Sequence, residues 1–239
     1  MRHAALIFCI LFSATASADD GFATLFNGKD FTNWKVPQGD NGHWKIIDGV
    51  IDYDASSEAP GDKNLWSEKE YGDFVLRIDW RIKETPYINP RVPIVMPDGT
   101  HKLDAEGKEI RISVPDSDSG VFVRGEGKSQ INIWCWPIGS GEVYGYRMDK
   151  KMSAEVRAGV TPKTNADHNI GHWNTFEITM KGDRLSVKLN GKQVLDDAQL
   201  PGIPEKGPIA LQHHGGKKDG EWRSPPALVQ FRNISIREL

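Results

Sequence analysis

Two adjacent histidines follow a short apolar run near the C-terminal end of the chain. Strand alternation would place Gln212 and His214 on one face and His213 on the opposite face, with Ile209 and Leu211. An imidazole titrates near neutral pH, so His214 can act as a general acid or base. His213 is interpreted as a structural residue because it points with the core side chains. The histidine pair alone does not favour a metal site, since neighbouring strand residues face opposite ways.

A second predicted strand carries groups that suit a sugar ring. Residues 130 to 135 alternate so that Gln130, Asn132 and Trp134 share one face. Amides pair with sugar hydroxyls, and an indole stacks on the C–H face of the ring. Together with Gln212, these residues predict a carbohydrate-binding face. The alternative is a solvated outer face with one exposed tryptophan.

Other candidate residues are less specific. Arg124 ends a predicted strand and could hold an oxyanion or carbonyl oxygen, or equally form a salt bridge at the rim. Glu142 and Tyr144 lie in a glycine-rich segment, where a loop side chain can point at a ligand or remain solvated. Asp116 and Asp118 offer oxygen ligands for a hard cation without the spacing of an EF-hand loop, which favours a plain turn.

The elements that must position these residues are predicted to be strands. Apolar and polar residues alternate from residue 74 to 82 and again from 176 to 189. Asp48-Gly49 and Asn190-Gly191 predict hairpins because these residue types tolerate positive φ. The short strands, with 24 Gly and 14 Pro, predict an all-β fold, an antiparallel β-sandwich or jelly roll. Only residues 153 to 159 favour a helical turn.

The chain is predicted to hold one domain behind a leader. An apolar run from residue 4 to 12, followed by Ala16-Ser17-Ala18, predicts a signal peptide over residues 1 to 18. The mature chain, residues 19 to 239, is expected to be exported to the periplasm or the medium. Five prolines interrupt residues 83 to 117, which we call the excursion and expect to cross one rim of the fold.

Charge and cysteine content exclude several classes of protein. The 239 residues include 30 Lys and Arg against 33 Asp and Glu, so no basic field exists for nucleic acid or anionic lipid. Apart from Cys9 in the leader, only Cys135 is present, which excludes an intrachain disulfide and favours a small buried hydrophobe. No later apolar run reaches the roughly 18 residues of a membrane span. The sequence does not indicate an oligomeric state.

Eight motifs occur together in order along the chain. They are FATLFNGKD at 22–30 followed by Trp34, Trp44 with Asp48-Gly49, YGDF at 71–74, Asp118-Ser119-Gly120 with Arg124, GHWN at 171–174, Asn190-Gly191, LQHHG at 211–215 and FRNI at 231–234. In this combination the chain resembles the 3-keto-disaccharide hydrolase family, also described as 3-keto-α-glucoside 1,2-lyase or 3-keto-2-hydroxyglucal hydratase domains. The resemblance covers about residues 21 to 239.

The resemblance implies a concanavalin A-like sandwich with an oxidised sugar or glycan on its concave side. A keto group at carbon 3 acidifies the hydrogen on carbon 2, so a base can remove it while the group on carbon 1 leaves, and water then adds to the glycal. His214 or Glu142 would serve as base and acid. Arg124 or a divalent metal ion, the only cofactor suggested, would stabilise the enolate.

One departure from the family pattern concerns Lys128. Many relatives have a Glu two positions before the residue equivalent to Gln130, and this chain has Lys128 there. Either the carboxylate role moves to Glu142 or the activity is lost, unless Lys128 itself binds the substrate as an enolate ligand. The alternative function is therefore a non-catalytic carbohydrate-binding module. A glycoside hydrolase with paired carboxylates is less favoured, because no predicted strand face presents such a pair.

Overall fold

The computed structural model describes residues 20–40, 42–55 and 63–239, and the predicted signal peptide lies outside these ranges. Strands dominate this part of the chain. The strands are β1 (Ala23–Thr24), β2 (Trp34–Lys35), β3 (Trp44–Ile47), β4 (Val50–Tyr53), β5 (Leu65–Tyr71), β6 (Phe74–Ile82), β7 (Tyr87–Pro93), β8 (Arg111–Asp116), β9 (Asp118–Phe122), β10 (Gln130–Trp134), β11 (Asn174–Lys181), β12 (Arg184–Leu189), β13 (Lys192–Gln199), β14 (Gly207–Leu211), β15 (Lys217–Lys218), β16 (Glu221–Trp222) and β17 (Val229–Glu238). The helices are α1 (Tyr144–Arg147) and α2 (Ala154–Gly159). Within the described ranges, no helix has the length and apolar character needed to cross a membrane.

Two antiparallel sheets form a sandwich. The larger sheet has the order β13-β12-β11-β6-β17-β4-β3, with β1 also paired to β17, and the smaller has the order β10-β9-β14-β5-β2. Strands β7 and β8 form a separate two-stranded sheet, as do β15 and β16. This architecture confirms the predicted all-β antiparallel sandwich.

One hydrophobic core fills the space between the two sheets. The larger sheet contributes Leu76 and Ile78 from β6, and the smaller contributes Ile131 and Ile133 from β10. Each of these side chains is at most 1% exposed. Because side chains alternate along a strand, the residues between them point away from the core, and the outer face of the smaller sheet is left for polar groups.

Two predicted hairpin turns and the one predicted helix are present in the structure, and the residues that predict them adopt the expected local geometry. Asn190 and Gly191 both have positive φ, 51° and 77°, as a type I′ turn between β12 and β13 requires. Asp48-Gly49 joins β3 and β4 in the same way. Helix α2 begins after Ser153, whose hydroxyl accepts the N–H of Val156 at 3.3 Å as an N-cap.

The excursion is a long hairpin that packs against the helices. Beyond β7 and β8, isolated bridges join Val95 to His101 and Leu103 to Glu109. Near its tip, the carbonyl of Pro97 accepts a hydrogen bond from the ammonium of Lys163 at 2.7 Å. The excursion therefore brings His101 up to α1 beside the smaller sheet.

Candidate functional site

The candidate site lies on the outer face of the smaller sheet. In β10, Ile131 and Ile133 belong to the core, so Gln130, Asn132 and Trp134 point away from it. This is the division of side chains that the sequence predicts. The outer face of β10 therefore carries two amides and an indole.

The side chain of Gln130 crosses β9 to reach Gln212. Its amide nitrogen donates to the side-chain oxygen of Gln212 at 2.6 Å and to the carbonyl of Ser119 at 3.0 Å. This crossing requires Gly120, because a Cβ at that position would lie only 2.6 Å from the amide nitrogen of Gln130. With its oxygen occupied, Gln212 keeps its NH₂ group as a donor for a ligand.

Asn132 supplies a second amide next to this pair. The side chain is 3% exposed, and within the described ranges it makes no hydrogen bond of its own. Asn132 pairs with Gly120 across the β9–β10 ladder. On the other side of β9, the backbone N–H of Gln212 donates to the carbonyl of Gly120 at 2.9 Å. Asn132, Gly120 and Gln212 therefore form one row across three neighbouring chain segments. Two amide groups with unused hydrogen-bonding capacity therefore face the same space.

His214 and Asp118 form a pair at one end of this row. The Nδ1 atom of His214 lies 2.6 Å from the carbonyl of Pro225, so Nδ1 carries a proton and donates it. The Nε2 atom lies 3.9 Å from Oδ2 of Asp118. The side chains are 32% and 27% exposed, which leaves both accessible to a ligand.

The surroundings of Asp118 raise the pKa of its carboxyl group. Burial raises the pKa of Asp118 to about 6, the charge of Asp116 adds to the rise, and His214 opposes it. Asp116 itself is fully buried and accepts hydrogen bonds from Asn89 at 2.8 Å and from the indole of Trp136 at 3.1 Å. A carboxylate with a pKa this close to neutrality is suited to proton transfer. From the sequence Asp118 is predicted to lie in a turn, whereas in the structure it begins β9.

The aromatic contact surface differs from the predicted one. Trp134 is only 4% exposed, because Trp136 stacks on it with centroids 4.1 Å apart and planes 4° apart. Its indole nitrogen donates to the carbonyl of Gly139 at 2.7 Å. Tyr144, 41% exposed, stands edge-on to both indoles at 6.1 and 6.3 Å. Trp136 and Tyr144 therefore offer the accessible rings, while the ring face predicted for Trp134 is covered.

Glu142 does not present its carboxylate to a ligand. It is fully buried and forms an ion pair with Arg147, which is 1% exposed. Burial raises the pKa of Glu142, and the guanidinium of Arg147 opposes the rise. Arg147 also lies 2.9 Å from Nε2 of His101, whose other nitrogen contacts Glu109 at 2.8 Å. We therefore correct the predicted catalytic role of Glu142 to that of a buried ion pair anchoring α1 and the excursion.

Arg124 is also a structural residue, in contrast to the predicted enolate ligand. It is 2% exposed and lies beyond β9 at the end opposite Asp118. Its guanidinium donates to the carbonyls of Gly72 at 3.0 Å, Gly182 at 2.6 Å and Pro204 at 3.1 Å, and to Asp73 at 2.8 Å. These bonds join three separate loops. Arg124 therefore stabilises the end of the sandwich that lies opposite the amide-bearing site.

Lys128 and Cys135 have ordinary surroundings. Lys128 is half exposed, and its ammonium forms an ion pair with Asp149 at 2.5 Å. In the structure Lys128 is therefore part of a surface ion pair and not the predicted substrate ligand. Burial raises the pKa of the Cys135 thiol to about 12. At neutral pH the thiol is not a nucleophile, as the sequence predicts.

The family resemblance implies a possible divalent metal ion, which would need several oxygen or nitrogen ligands close together. Across the described ranges, no group of three or more His, Cys, Asp or Glu side chains converges as metal ligands would. Asp118 and His214 form only a pair, and Asp116 is committed to Asn89 and Trp136. The described residues therefore do not assemble a set of three such ligands around Asp118 and His214.

An antiparallel sandwich with amides, aromatic rings and an Asp–His pair on one sheet face is an arrangement that suits a carbohydrate-active protein. The family model described as the 3-keto-alpha-glucoside-1,2-lyase-like domain matches residues 21–237, and the chain belongs to this family. No curated protein matches the chain significantly.

Three solved structures from Parabacteroides distasonis, each named as a candidate glycosyl hydrolase, are similar to the chain. The first is 21% identical with a TM-score of 0.59, and the match covers 92% of this chain and 84% of that one. The second is 21% identical with a TM-score of 0.54, covering 92% and 94%. The third is 22% identical with a TM-score of 0.53, covering 91% and 99%. At these identities the likeness establishes the fold.

Proposed function

We propose that the protein is an exported 3-keto-glycoside lyase and hydratase, with hydrolysis of the glycosidic bond as the net reaction. The observation that carries this proposal is the Asp118–His214 pair, which lies on the same sheet face as the amides of Gln212 and Asn132. Elimination next to a ketone needs one base, one acid and donors for the enolate oxygen. These three requirements are met by neighbouring side chains.

Binding of the oxidised ring uses the amides. The NH₂ group of Gln212 donates to the keto oxygen on carbon 3, and Asn132 pairs with a neighbouring hydroxyl. Gln130 is a positioning residue, because its hydrogen bond at 2.6 Å fixes which end of the Gln212 amide faces the substrate. Tyr144, which is 41% exposed, covers the apolar face of the oxidised ring.

The elimination step divides its proton transfers between the pair. The carboxylate of Asp118 removes the proton from carbon 2, and the electron pair forms the carbon 1–carbon 2 double bond as the bond from carbon 1 to the glycosidic oxygen breaks. That oxygen takes a proton from Nε2 of the His214 imidazolium. The Pro225 carbonyl stabilises the imidazolium through its bond with the opposite nitrogen.

Hydration then reverses the two roles. After elimination Asp118 is protonated and His214 is neutral. His214 takes a proton from water as the water oxygen bonds to carbon 1, and Asp118 returns its proton to carbon 2. The pair regains its starting state, and the products are a 3-keto sugar and the released alcohol.

The proposal includes export, since the predicted signal peptide would carry the enzyme to the periplasm or the medium. Its substrates would then be oxidised glycosides outside the cytoplasm.

The test is to incubate the purified protein with 3-keto-maltose, with and without a chelator, and to follow the products by mass spectrometry. Release of glucose with a transient glycal, abolished in Asp118→Asn, supports the proposal. Sensitivity to the chelator would show that a metal ion takes part. Sugar binding without turnover would contradict the proposal and favour the carbohydrate-binding module.

A further inference from the structure

A second cleft opens beside the amide-bearing face, at one end of the sandwich. Its volume is about 280 Å³, and it is lined from both sheets and from the loop that precedes β11. The side chains that matter here are Trp80, Trp134, Trp136, Asp167, His168 and Asn169. None of them takes part in the proton transfers proposed above.

Three indoles give the cleft an aromatic lining. Trp80 comes from β6 in the larger sheet, Trp134 from β10, and Trp136 stacks on Trp134. Trp80 and Trp134 are 1% and 4% exposed and form the buried wall, so the partly exposed ring of Trp136 presents the flat apolar surface that matches the C–H face of a sugar. An aromatic cleft with polar groups around it is the usual composition of a small-ligand site.

The indole of Trp80 also provides an unused hydrogen-bond donor. Trp80 is 1% exposed, and its Nε1 atom has no hydrogen-bond partner in the described part of the chain. A buried donor without an acceptor carries a free-energy cost of about 1–3 kcal/mol. Because Trp80 lines the cleft, a ligand oxygen that reached Nε1 would remove that cost.

Acceptors and donors surround the aromatic lining. The Nδ1 atom of His168 lies 2.9 Å from the carbonyl of Trp173, so Nδ1 carries the proton and Nε2 is left as an acceptor. Asp167 accepts the N–H of Ser140 at 2.8 Å, and burial raises the pKa of its carboxyl. Asn169 adds an exposed amide. These groups suit a ligand with several hydroxyls.

We propose that this cleft is a second sugar subsite, which binds the unoxidised hexose that leaves from a 3-keto-disaccharide. The assignment to the leaving sugar rests on the proposed function. The cleft adjoins the acid/base pair, because Trp134 lies directly opposite Asp118 in the β9–β10 ladder. Trp136 also donates to Asp116, two residues before Asp118, at 3.1 Å. Neighbouring strands are about 4.8 Å apart, a span that one glycosidic linkage can bridge.

Binding is tested directly with maltose, which lacks the keto group. In a nitrogen–proton NMR titration, the indole N–H signal of Trp80, identified by its loss in Trp80→Phe, is expected to shift as maltose is added. The indole of Trp222 in β16, which does not line the cleft, serves as the internal control. A Trp80 signal that does not move, or that moves only as much as that of Trp222, would overturn the subsite.

The role in catalysis is tested by crowding the cleft at Ile170, which lines it and is 44% exposed. Ile170→Arg is expected to raise KM for 3-keto-maltose about tenfold. The same variant should leave KM for methyl 3-keto-glucoside unchanged, because the leaving group of that substrate is methanol and not a sugar. Ile47→Arg is the matched control, because Ile47 ends β3, is 48% exposed and does not line the cleft. It should leave KM unchanged for both substrates.

The outcomes separate the two proposals. Equal effects of Ile170→Arg on both substrates, or no effect on either, would overturn the role as a leaving-sugar subsite while the proposed reaction stands. If the wild-type protein turns over neither substrate, the proposed function fails, and the maltose titration still decides whether the cleft binds sugar.

Discussion

The Nε2 atom of His214 lies 3.9 Å from Oδ2 of Asp118, while the other ring nitrogen is held at 2.6 Å by the carbonyl of Pro225. This arrangement leaves one nitrogen and one carboxylate facing each other. A single proton on such a pair makes one partner an acid and the other a base. The pair can therefore serve both elimination and hydration, and it supports specific predictions about each partner.

The first prediction concerns the acid. His214→Ala should lower kcat/KM for 3-keto-maltose at least 100-fold, because general-acid assistance to a poor leaving group is worth about 10²–10⁴. With p-nitrophenyl 3-keto-glucoside the loss should be small, since p-nitrophenolate leaves without a proton. Steady-state kinetics on the two substrates give the comparison. Equal losses on both would show that His214 does not protonate the leaving group.

The second prediction concerns pH. Because burial raises the pKa of Asp118 to about 6, the carboxylate that must accept the proton is lost as the pH falls through that value. The acidic limb of kcat/KM should therefore lie near pH 6, and carbon-13 NMR of the Asp118 carboxyl should titrate at the same pH. A limb near pH 4, where an ordinary aspartate titrates, would rule out this assignment.

The third prediction concerns Gly120. A Cβ there would lie 2.6 Å from the amide nitrogen of Gln130 and 2.7 Å from the carbonyl of Ile131, so Gly120→Ala must displace the amide that orients Gln212. We expect a stability loss of about 1–3 kcal/mol in chemical denaturation and a lower kcat among the molecules that remain folded. Gly127→Ala is the control, because a Cβ at Gly127 meets no atom within 4 Å. Wild-type kcat in Gly120→Ala would contradict the positioning role of Gln130.

The fourth prediction separates structure from catalysis at Arg124. Arg124→Met removes a buried guanidinium that binds three loop carbonyls, and the free energy of unfolding should fall by roughly 3 kcal/mol. The folded fraction should keep wild-type kcat/KM. Lys128→Met loses only an exposed ion pair and should change the unfolding free energy by less than about 1 kcal/mol. A large loss of activity in either variant, with folding intact, would restore that residue to the site.

Much of the fold and one part of the site could be predicted because they depend on local pattern. A period of two divides Gln130 and Asn132 from Ile131 and Ile133, and the core between the sheets enforces that division. The same alternation predicts that Gln212 faces outward, as its hydrogen bond with Gln130 shows.

The remaining site depends on contacts between distant segments. Arg124 is buried because Gly182 and Pro204 bring their carbonyls to it, and nothing near Arg124 in the sequence signals this. Glu142 is buried by its pairing with Arg147. Asp118 could have been found by extending the alternation of β9 back from Phe122, but its serine- and glycine-rich surroundings favoured a turn.

The most direct measurement uses 3-keto-maltose labelled with deuterium at carbon 2 of the oxidised ring. Elimination transfers that deuteron to the Asp118 carboxyl, which is 27% exposed and exchanges it with water before hydration. The 3-keto-glucose released by the enzyme should therefore have lost the label, beyond any loss in an incubation without enzyme. Mass spectrometry at early times gives the result. Glucose release with the carbon 2 deuterium fully retained would mean direct displacement at carbon 1 and would contradict the proposed reaction.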